Sequence, residues 1–318
     1  MALLGASGMS SLLAYPGQGS QYAGMLANLP QAPEIRDTLQ EASDVLQMPV
    51  SRLDSDAALR STRNVQLSLL IAGVACTRLL ETRAPASDYV AGLSIGAYAA
   101  AVTAEALTFA DALRLVSLRG ELMQNAYPEG YGMTAVIGLE QPQVEQLIGR
   151  VDRDAPLYIA NLNADNQIVV AGANTALDAL EGAVRQHGNG VSRRVAITVP
   201  SHCPLLDEPA RALADAFQRV PLNTPRRRYL SGTFARPIQT PDALRDDLAF
   251  NMARPVRWHA MILAARERGV RLHIELPPGN VLTGLARRVF EPSFVIAFQG
   301  SRLDTLHALL REEVNRRA

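Results

Sequence analysis

Residues 89–98 read YVAGLSIGAY, an apolar run that closes on Gly92, Ser94 and Gly96. A strand ending in Gly-x-Ser-x-Gly and running directly into a helix makes a cramped turn that exposes the serine hydroxyl at the helix N-terminus. A hydroxyl placed there can act as a nucleophile, and the backbone N–H of the next residue, Ile95, can hold an oxyanion. The same motif also serves as a plain tight turn, so the chemical reading of Ser94 requires a base. Five histidines are available. His187 at a probable helix end and His307 on a polar C-terminal helix read as surface residues. His259 within a helix and His273 inside the strand RLHIEL read as packed side chains. His202 alone follows directly on a strand, in ITVPSHCPLL. That puts it on the rim where Ser94 should lie, as a general base or as a capping residue.

Arg119 is the third candidate. TFADALRLVSLRGELMQNA carries Ala112, Leu115, Val116, Leu122 and Met123 at the 3- and 4-residue spacing of an amphipathic helix, and Arg119 falls inside that apolar stripe. A guanidinium on a buried face is costly unless it meets an anion. It therefore pairs with a protein carboxylate or awaits a ligand carboxylate, which arginine grips with two parallel hydrogen bonds. The residues alone favour the protein ion pair. The loop PGQGSQ brings Gly17 and Gly19 to the end of the first strand, but it lacks the spacing and the lysine of a phosphate-binding loop. A backbone N–H near Gln18 can instead complete an oxyanion hole.

These residues need rigid elements behind them. SLLAYPGQGSQ reads as a short buried strand entering a glycine turn, followed by helical periodicity to about residue 47. A helix over about 65–81 leads into the buried strand DYVAGL, and this alternation predicts a mostly parallel sheet with helices on its faces. From residue 133 the order becomes β-α-β-β-α-β: MTAVIGL, PQVEQLIGRV, LYIANLN, NQIVVAG, TALDALEGAVRQHG and SRRVAITV, the ferredoxin-like unit. The expected fold is α/β, a large domain of residues 1–131 and 200–318 with a ferredoxin-like small subdomain inserted at 132–199. The large domain resumes with helix PLLDEPARALADAFQRV, strand RRYLSGTF, helix ARPVRWHAMILAARERG, strand VRLHIEL, helix NVLTGLARRVF and strand SFVIAF. RRR at 226–228 reads as a solvated loop, with carrier docking as a weaker reading.

Composition excludes several classes. Thirty-one basic and 31 acidic side chains cancel, so neither a nucleic-acid surface nor disorder is indicated. Every basic residue is arginine. Cys76 and Cys203 form no metal-spaced cluster or disulfide framework, which suits a reducing, cytoplasmic compartment. The N-terminal MALLGASGMSSLLAYPG lacks a basic n-region and does not read as a signal peptide. Residues 89–107 are too rich in alanine and glycine to be expected in a membrane.

Seven segments, YPGQGSQ, GLSIGAY, LRGELMQ, NADNQIVVAG, VPSHCPLL, NMARPVRW and ELPPGNVLTGL, together resemble, in order and nearly end to end, the malonyl-CoA:acyl-carrier-protein transacylases. The resemblance implies a large α/β-hydrolase-like domain with a ferredoxin-like insert. It makes Ser94 the acylated nucleophile, His202 its base and Arg119 the clamp on the malonyl carboxylate. It also implies that Gln18 and Ile95 supply the oxyanion N–H groups and that the Asn251 main-chain carbonyl orients the histidine. Asn161 and Asn163 match residues that line the acyl pocket. No permanently bound cofactor or metal is implied: malonyl-CoA is the substrate, and the prosthetic arm of an acyl-carrier protein is the acceptor. Fatty-acid-synthesis members typically read Gly-His-Ser-Leu-Gly-Glu at the elbow, whereas Leu93 and Ala97 stand here for the His and the Glu. An elbow of the GLSIGA type is similar to the malonyltransferase subunit of bacterial malonate decarboxylase, which becomes the specific expectation, with the carrier subunit of that enzyme as partner. The alternatives are the transacylase of fatty-acid or polyketide synthesis, a serine esterase or thioesterase, and a non-catalytic scaffold. A hydrolase of the α/β type should place an acid between serine and histidine in chain order, where Asp152, Asp154, Asp165 and Asp178 are available.

Overall fold

The computed structural model describes residues 10–151 and 155–316. Residues 1–9 of the stretch weighed as a leader, and the candidate acids Asp152 and Asp154, lie outside them. Strand β1 (Ser10–Tyr15) is buried at all six positions, as an apolar run without alternation should be when a sheet is covered on both faces. After the glycine loop come α1 (Pro33–Leu46), α2 (Thr62–Glu81), β2 (Tyr89–Gly92), α3 (Gly96–Thr103) and α4 (Phe109–Ala126). Thr108 starts α4 by accepting the Asp111 N–H on its side chain, which satisfies one of the helix's orphan donors. Next come β3 (Tyr131–Ile137), α5 (Gln141–Ile148), β4 (Leu157–Ala164), β5 (Gln167–Ala173), α6 (Asn174–His187) and β6 (Val191–Arg194). The chain continues through α7 (Asp207–Phe217), β7 (Arg228–Ser231), β8 (Arg236–Ile238), α8 (Pro241–Phe250) and α9 (Trp258–Glu267). It ends with β9 (Val270–Glu275), α10 (Val281–Ala286), β10 (Val295–Ala297) and α11 (Leu303–Asn315).

The elements form two sheets. One has the order β10-β9-β1-β2-β7-β8 and is parallel at every pairing except β7 with β8. The other, β4-β5-β3-β6, is antiparallel throughout. The α/β class with a mostly parallel sheet is thus the observed fold, and the separate antiparallel sheet falls within residues 131–194. β1 sits centrally: the chain first builds outward to β2 and β7, then returns to lay β9 and β10 on the other side. Such a reversal leaves a crevice at the carboxyl ends of the central strands, the usual ligand position in open α/β sheets.

Several expectations change on contact with the structure. The strand expected over 192–199 stops at Arg194, because Val195 and Ile197 turn to line the cavity described below. The helix expected from residue 253 starts only at Trp258. Pro255 cannot donate a helical bond, and Val256 instead pairs with Asn161 of β4, giving its N–H to Ala160 O and accepting from Leu162 N–H. β8 and α8 were not anticipated. His307 is buried rather than superficial, since α11 packs on α2, β1 and β9. RRR is a solvated loop only in part: Arg226 is exposed and pairs with Glu105, whereas Arg227 pairs with Glu81 through both carboxylate oxygens, and Arg228, exposed, opens β7 with its guanidinium 5.1 Å from the Tyr89 ring. Both cysteines are free and buried. No helix among the described residues is long and apolar enough to cross a membrane.

His273 is packed as expected, in register with Leu12 and Val295 and near Phe290. Yet among the described residues neither ring nitrogen has a partner beyond its own backbone, so burial pushes its pKa down to about 4. The unfolded chain, with a histidine near its ordinary 6.5, then binds the extra proton first, and native stability falls as pH drops from 6.5 toward 4. His273→Leu should remove this residue's share of the dependence: between pH 7 and pH 5 the variant should lose about 2 kcal/mol less stability than the native sequence in denaturant titrations.

Candidate active site

The carboxyl ends of β9, β1 and β2 deliver three segments to one 220 Å³ cavity: 281–282, 16–20 and 93–95. The antiparallel sheet covers it with Met133 and Ala135 of β3, Asn161 and Asn163 of β4 and Val169 of β5. Of the residues that the family resemblance assigns to the site, Ser94, His202, Arg119, Gln18, Ile95, Asn161 and Asn163 line this cavity, and Asn251 touches it through its neighbours.

The elbow is built by steric exclusion. Ser94 adopts φ +53°, a left-handed conformation uncommon for a side-chain residue. A Cβ on Gly92 would lie 1.9 Å from the Gly96 carbonyl carbon, and one on Gly96 would lie 2.2 Å from Tyr15 O. The two glycines therefore let β2, α3 and the end of β1 meet at backbone contact, and Leu93 N–H donates to Tyr15 O at 2.9 Å. This contact presses the 16–20 loop, with half-buried Gln18, against the elbow. Ile95 is fully buried at the N-cap of α3, where the first amides of a helix have no intrahelical acceptor and present partial positive charge.

His202 also has a positive φ, +64°. Its N–H donates to Met252 O, and its Nδ1 lies 2.6 Å from Asn251 O. A carbonyl only accepts, so Nδ1 carries the proton and Nε2 is left as the free base. Burial, then the neighbouring Arg119 charge, pushes the imidazole pKa down to about 4. A neutral base follows at physiological pH, with no carboxylate as orienting partner. Asp165 and Asp178, the described acids weighed for a hydrolase triad, face Arg288 and Arg194 instead.

Arg119 is fully buried, and no Asp or Glu oxygen among the described residues lies within ion-pair distance. The protein ion pair favoured on the residues alone is thereby excluded for the described chain. Its partners are neutral: Gln66 Oε1 accepts from Nη1 at 2.7 Å, Asn251 Oδ1 from Nη2 at 3.0 Å, and Ser94 Oγ from Nη2 at 3.3 Å. The Tyr98 ring centroid lies 5.9 Å away, and Nε has no acceptor among the described residues. Burial pushes the guanidinium down to about 10, still cationic near neutrality. The arrangement depends on Gly120, where a Cβ would come 2.4 Å from Arg63 Cα. That approach of α4 to α2 brings Gln66, one turn beyond Arg63, within reach of Arg119.

Sequence reasoning missed two participants. Gln66 hides in the apolar run VQLSLLIAG, and the signal that exposed Arg119, a polar side chain on a buried helix face, applies equally to it. Glu275 ends β9 and accepts from the Leu282 and Thr283 N–H groups at 3.0 and 2.6 Å, fixing the cavity wall at 281–282. Leu93 and Ala97, the two departures at the elbow, differ in setting, since Leu93 also lines the cavity. Leu93 lies against Gly17 and the apolar cluster around Trp258, and Ala97 is buried in the main core.

A mixed α/β fold that brings a serine elbow and a carbonyl-held histidine to one cavity belongs with the enzymes of acyl chemistry, and the class that fits is the acyltransferases. Comparison with known proteins narrows it. Residues 13–302 match the acyl transferase domain family. The chain is 34% identical over 284 residues to the malonyl CoA-acyl carrier protein transacylase of Haemophilus influenzae, covering 87% of this chain and 91% of that protein. It is 31% identical to the transacylase of the same name from Bacillus subtilis strain 168, over 86% of this chain and 89% of that one. The crystal structure of FabD from Acinetobacter baumannii superposes with a TM-score of 0.89 at 32% identity, covering 96% of this chain and 99% of that one. A malonyl-transacylase solved in complex with a type II polyketide acyl-carrier protein gives 0.88 at 33% identity, covering 95% and 99%. The chain belongs to the malonyl-CoA:acyl-carrier-protein transacylase family.

The lowered pKa of His202 gives a pH expectation with a definite sign. The group is a competent base above its folded pKa, and kcat/KM reports the free enzyme. The kcat/KM for acylation of Ser94 by a thioester should stay level from pH 8 to about 5 and fall toward pH 4; a midpoint near 6.5 would contradict the burial argument.

Proposed function

We propose that the protein transfers a malonyl group from malonyl-CoA to the thiol of an acyl-carrier protein through a malonyl-serine ester on Ser94. The observation that carries this reading is the fully buried Arg119, positive and without a carboxylate partner among the described residues, with Nη2 3.3 Å from Ser94 Oγ. A cation so placed calls for an acyl group that ends in an anion.

In the proposed sequence the carboxylate of malonyl-CoA binds Arg119. His202 Nε2 takes the proton as Ser94 Oγ attacks the thioester carbonyl, and the oxyanion sits between the Gln18 and Ile95 N–H groups. The C–S bond breaks, and the imidazolium returns the proton to the departing CoA sulfur. The carrier-arm thiol then gives its proton to His202 and attacks the ester, the C–Oγ bond breaks, and Ser94 recovers its proton. Asn251 keeps His202 in the Nδ1–H tautomer throughout. Asn161 and Asn163, whose buried Oδ1 atoms lack partners among the described residues, serve as acceptors toward the acyl group or the arm. Residues 132–199 act as the small subdomain roofing the site and shielding the ester from water. The setting is cytoplasmic, and no permanent cofactor takes part.

The transacylase relatives favour the fatty-acid or polyketide setting over a malonate decarboxylase subunit. That narrower expectation rests on Leu93 and Ala97 alone, whereas the relatives match over most of the chain. The proposal is tested by intact-mass spectrometry after incubation with malonyl-CoA. One malonyl adduct should form on the native chain and none on Ser94→Ala. Arg119→Ala should slow malonylation by about a hundredfold or more, as loss of a buried charge contact implies, while acetylation from acetyl-CoA persists. A native chain that acquires no adduct would refute malonyl transfer.

A further inference from the structure

Arg119 is held by amides where carboxylates would fit. Gln66 and Asn251 are almost wholly buried, and each points its carbonyl oxygen at the guanidinium, at 2.7 and 3.0 Å. The Gln66 amide is itself fixed, since its Nε2 lies 3.3 Å from Met123 Sδ on the next turn of α4. Glutamate would occupy nearly the same volume at position 66 and would neutralise a cation that burial makes costly. An amide supplies direction without charge.

Resting on the reading of Arg119 as a carboxylate clamp, we infer that Gln66, supported by Asn251, is a positioning residue that sets specificity: it aims Arg119 at Ser94 without neutralising it, so the pocket selects acyl thioesters ending in a carboxylate over neutral ones of similar length. The selection is a difference of two binding energies. An anionic acyl group pairs the cation, whereas a neutral one leaves it buried and unmet. With a carboxylate at position 66 the relation inverts. The protein then satisfies Arg119 itself, an incoming carboxylate meets an added negative charge, and a neutral acyl group no longer strands a cation. Tyr98 and His202 are the other titratable side chains facing Arg119, and neither supplies a negative charge near neutrality.

The test compares Gln66→Glu and Gln66→Met with the native chain, reading rates of Ser94 acylation from malonyl-CoA and acetyl-CoA by intact mass. Gln66→Glu should lower the malonyl-to-acetyl ratio by about a hundredfold or more, chiefly through the KM for malonyl-CoA, while acetylation stays within roughly threefold of native. Gln66→Met, which removes the acceptor but adds no charge, should keep the ratio within roughly tenfold of native. If Gln66→Glu does not fold, Asn251→Asp carries the same comparison at the second contact, with the same loss of ratio expected. An unchanged ratio in the folded carboxylate variant, or an equal loss in Gln66→Met, overturns this inference and leaves malonyl transfer standing. A native chain that acquires no malonyl group overturns both.

Discussion

Arg119 carries a positive charge where water is excluded and no described carboxylate answers it, and much of the local structure keeps it there. Removing a guanidinium from water costs several kcal/mol even after relaxation, so evolution to a more stable core would place an acid beside it or remove it. Instead α4 approaches α2 closely at Gly120, and Gln66 and Asn251 bind the group without cancelling it. The free chain thereby holds an unmet electrostatic demand beside the Ser94 hydroxyl. A substrate that meets it gains binding energy where the reaction occurs, while competitors leave the cation stranded.

Asn251 joins the parts. Its carbonyl takes the Nδ1 proton of His202, its Oδ1 accepts from Arg119, and its Nδ2 lies 3.4 Å from Ser94 O. His202, Arg119 and the elbow therefore share one residue at the end of α8. The same cation helps depress the pKa of His202, so pairing it with a substrate carboxylate should strengthen the base as the substrate arrives. The left-handed conformations of Ser94 and His202 are sustained by backbone contacts on both sides, from Tyr15 to the elbow and from Met252 to the histidine.

Much of this was legible in the sequence, for identifiable reasons. Backbone-level constraints leave sharp marks: only glycine allows the contacts at positions 92 and 96, so the elbow could be read from spacing, and an arginine inside an apolar helical stripe announces a buried charge. The βαββαβ order emerged because each strand and helix kept its own hydrophobic period. What stayed hidden depends on where elements meet. Gln66 differs from a surface glutamine only through its neighbours on α4, and His307 on a polar helix is buried because α11 happens to cover α2. The helix expected from residue 253 ignored the pairing of Val256 with Asn161, a contact 95 residues distant in sequence. The pathway reading from Leu93 and Ala97 rests on two side chains beside Ser94 that also pack, Leu93 against Gly17 and Ala97 in the main core, so their types do not separate one acceptor from another.

The central claim is that an uncompensated buried cation recruits the substrate carboxylate before any bond forms. Titration calorimetry on Ser94→Ala, which can bind but not react, isolates that step. The account predicts that malonyl-CoA binds about a hundredfold more tightly than acetyl-CoA, the worth of a buried charge contact. Equal dissociation constants for the two thioesters would contradict it.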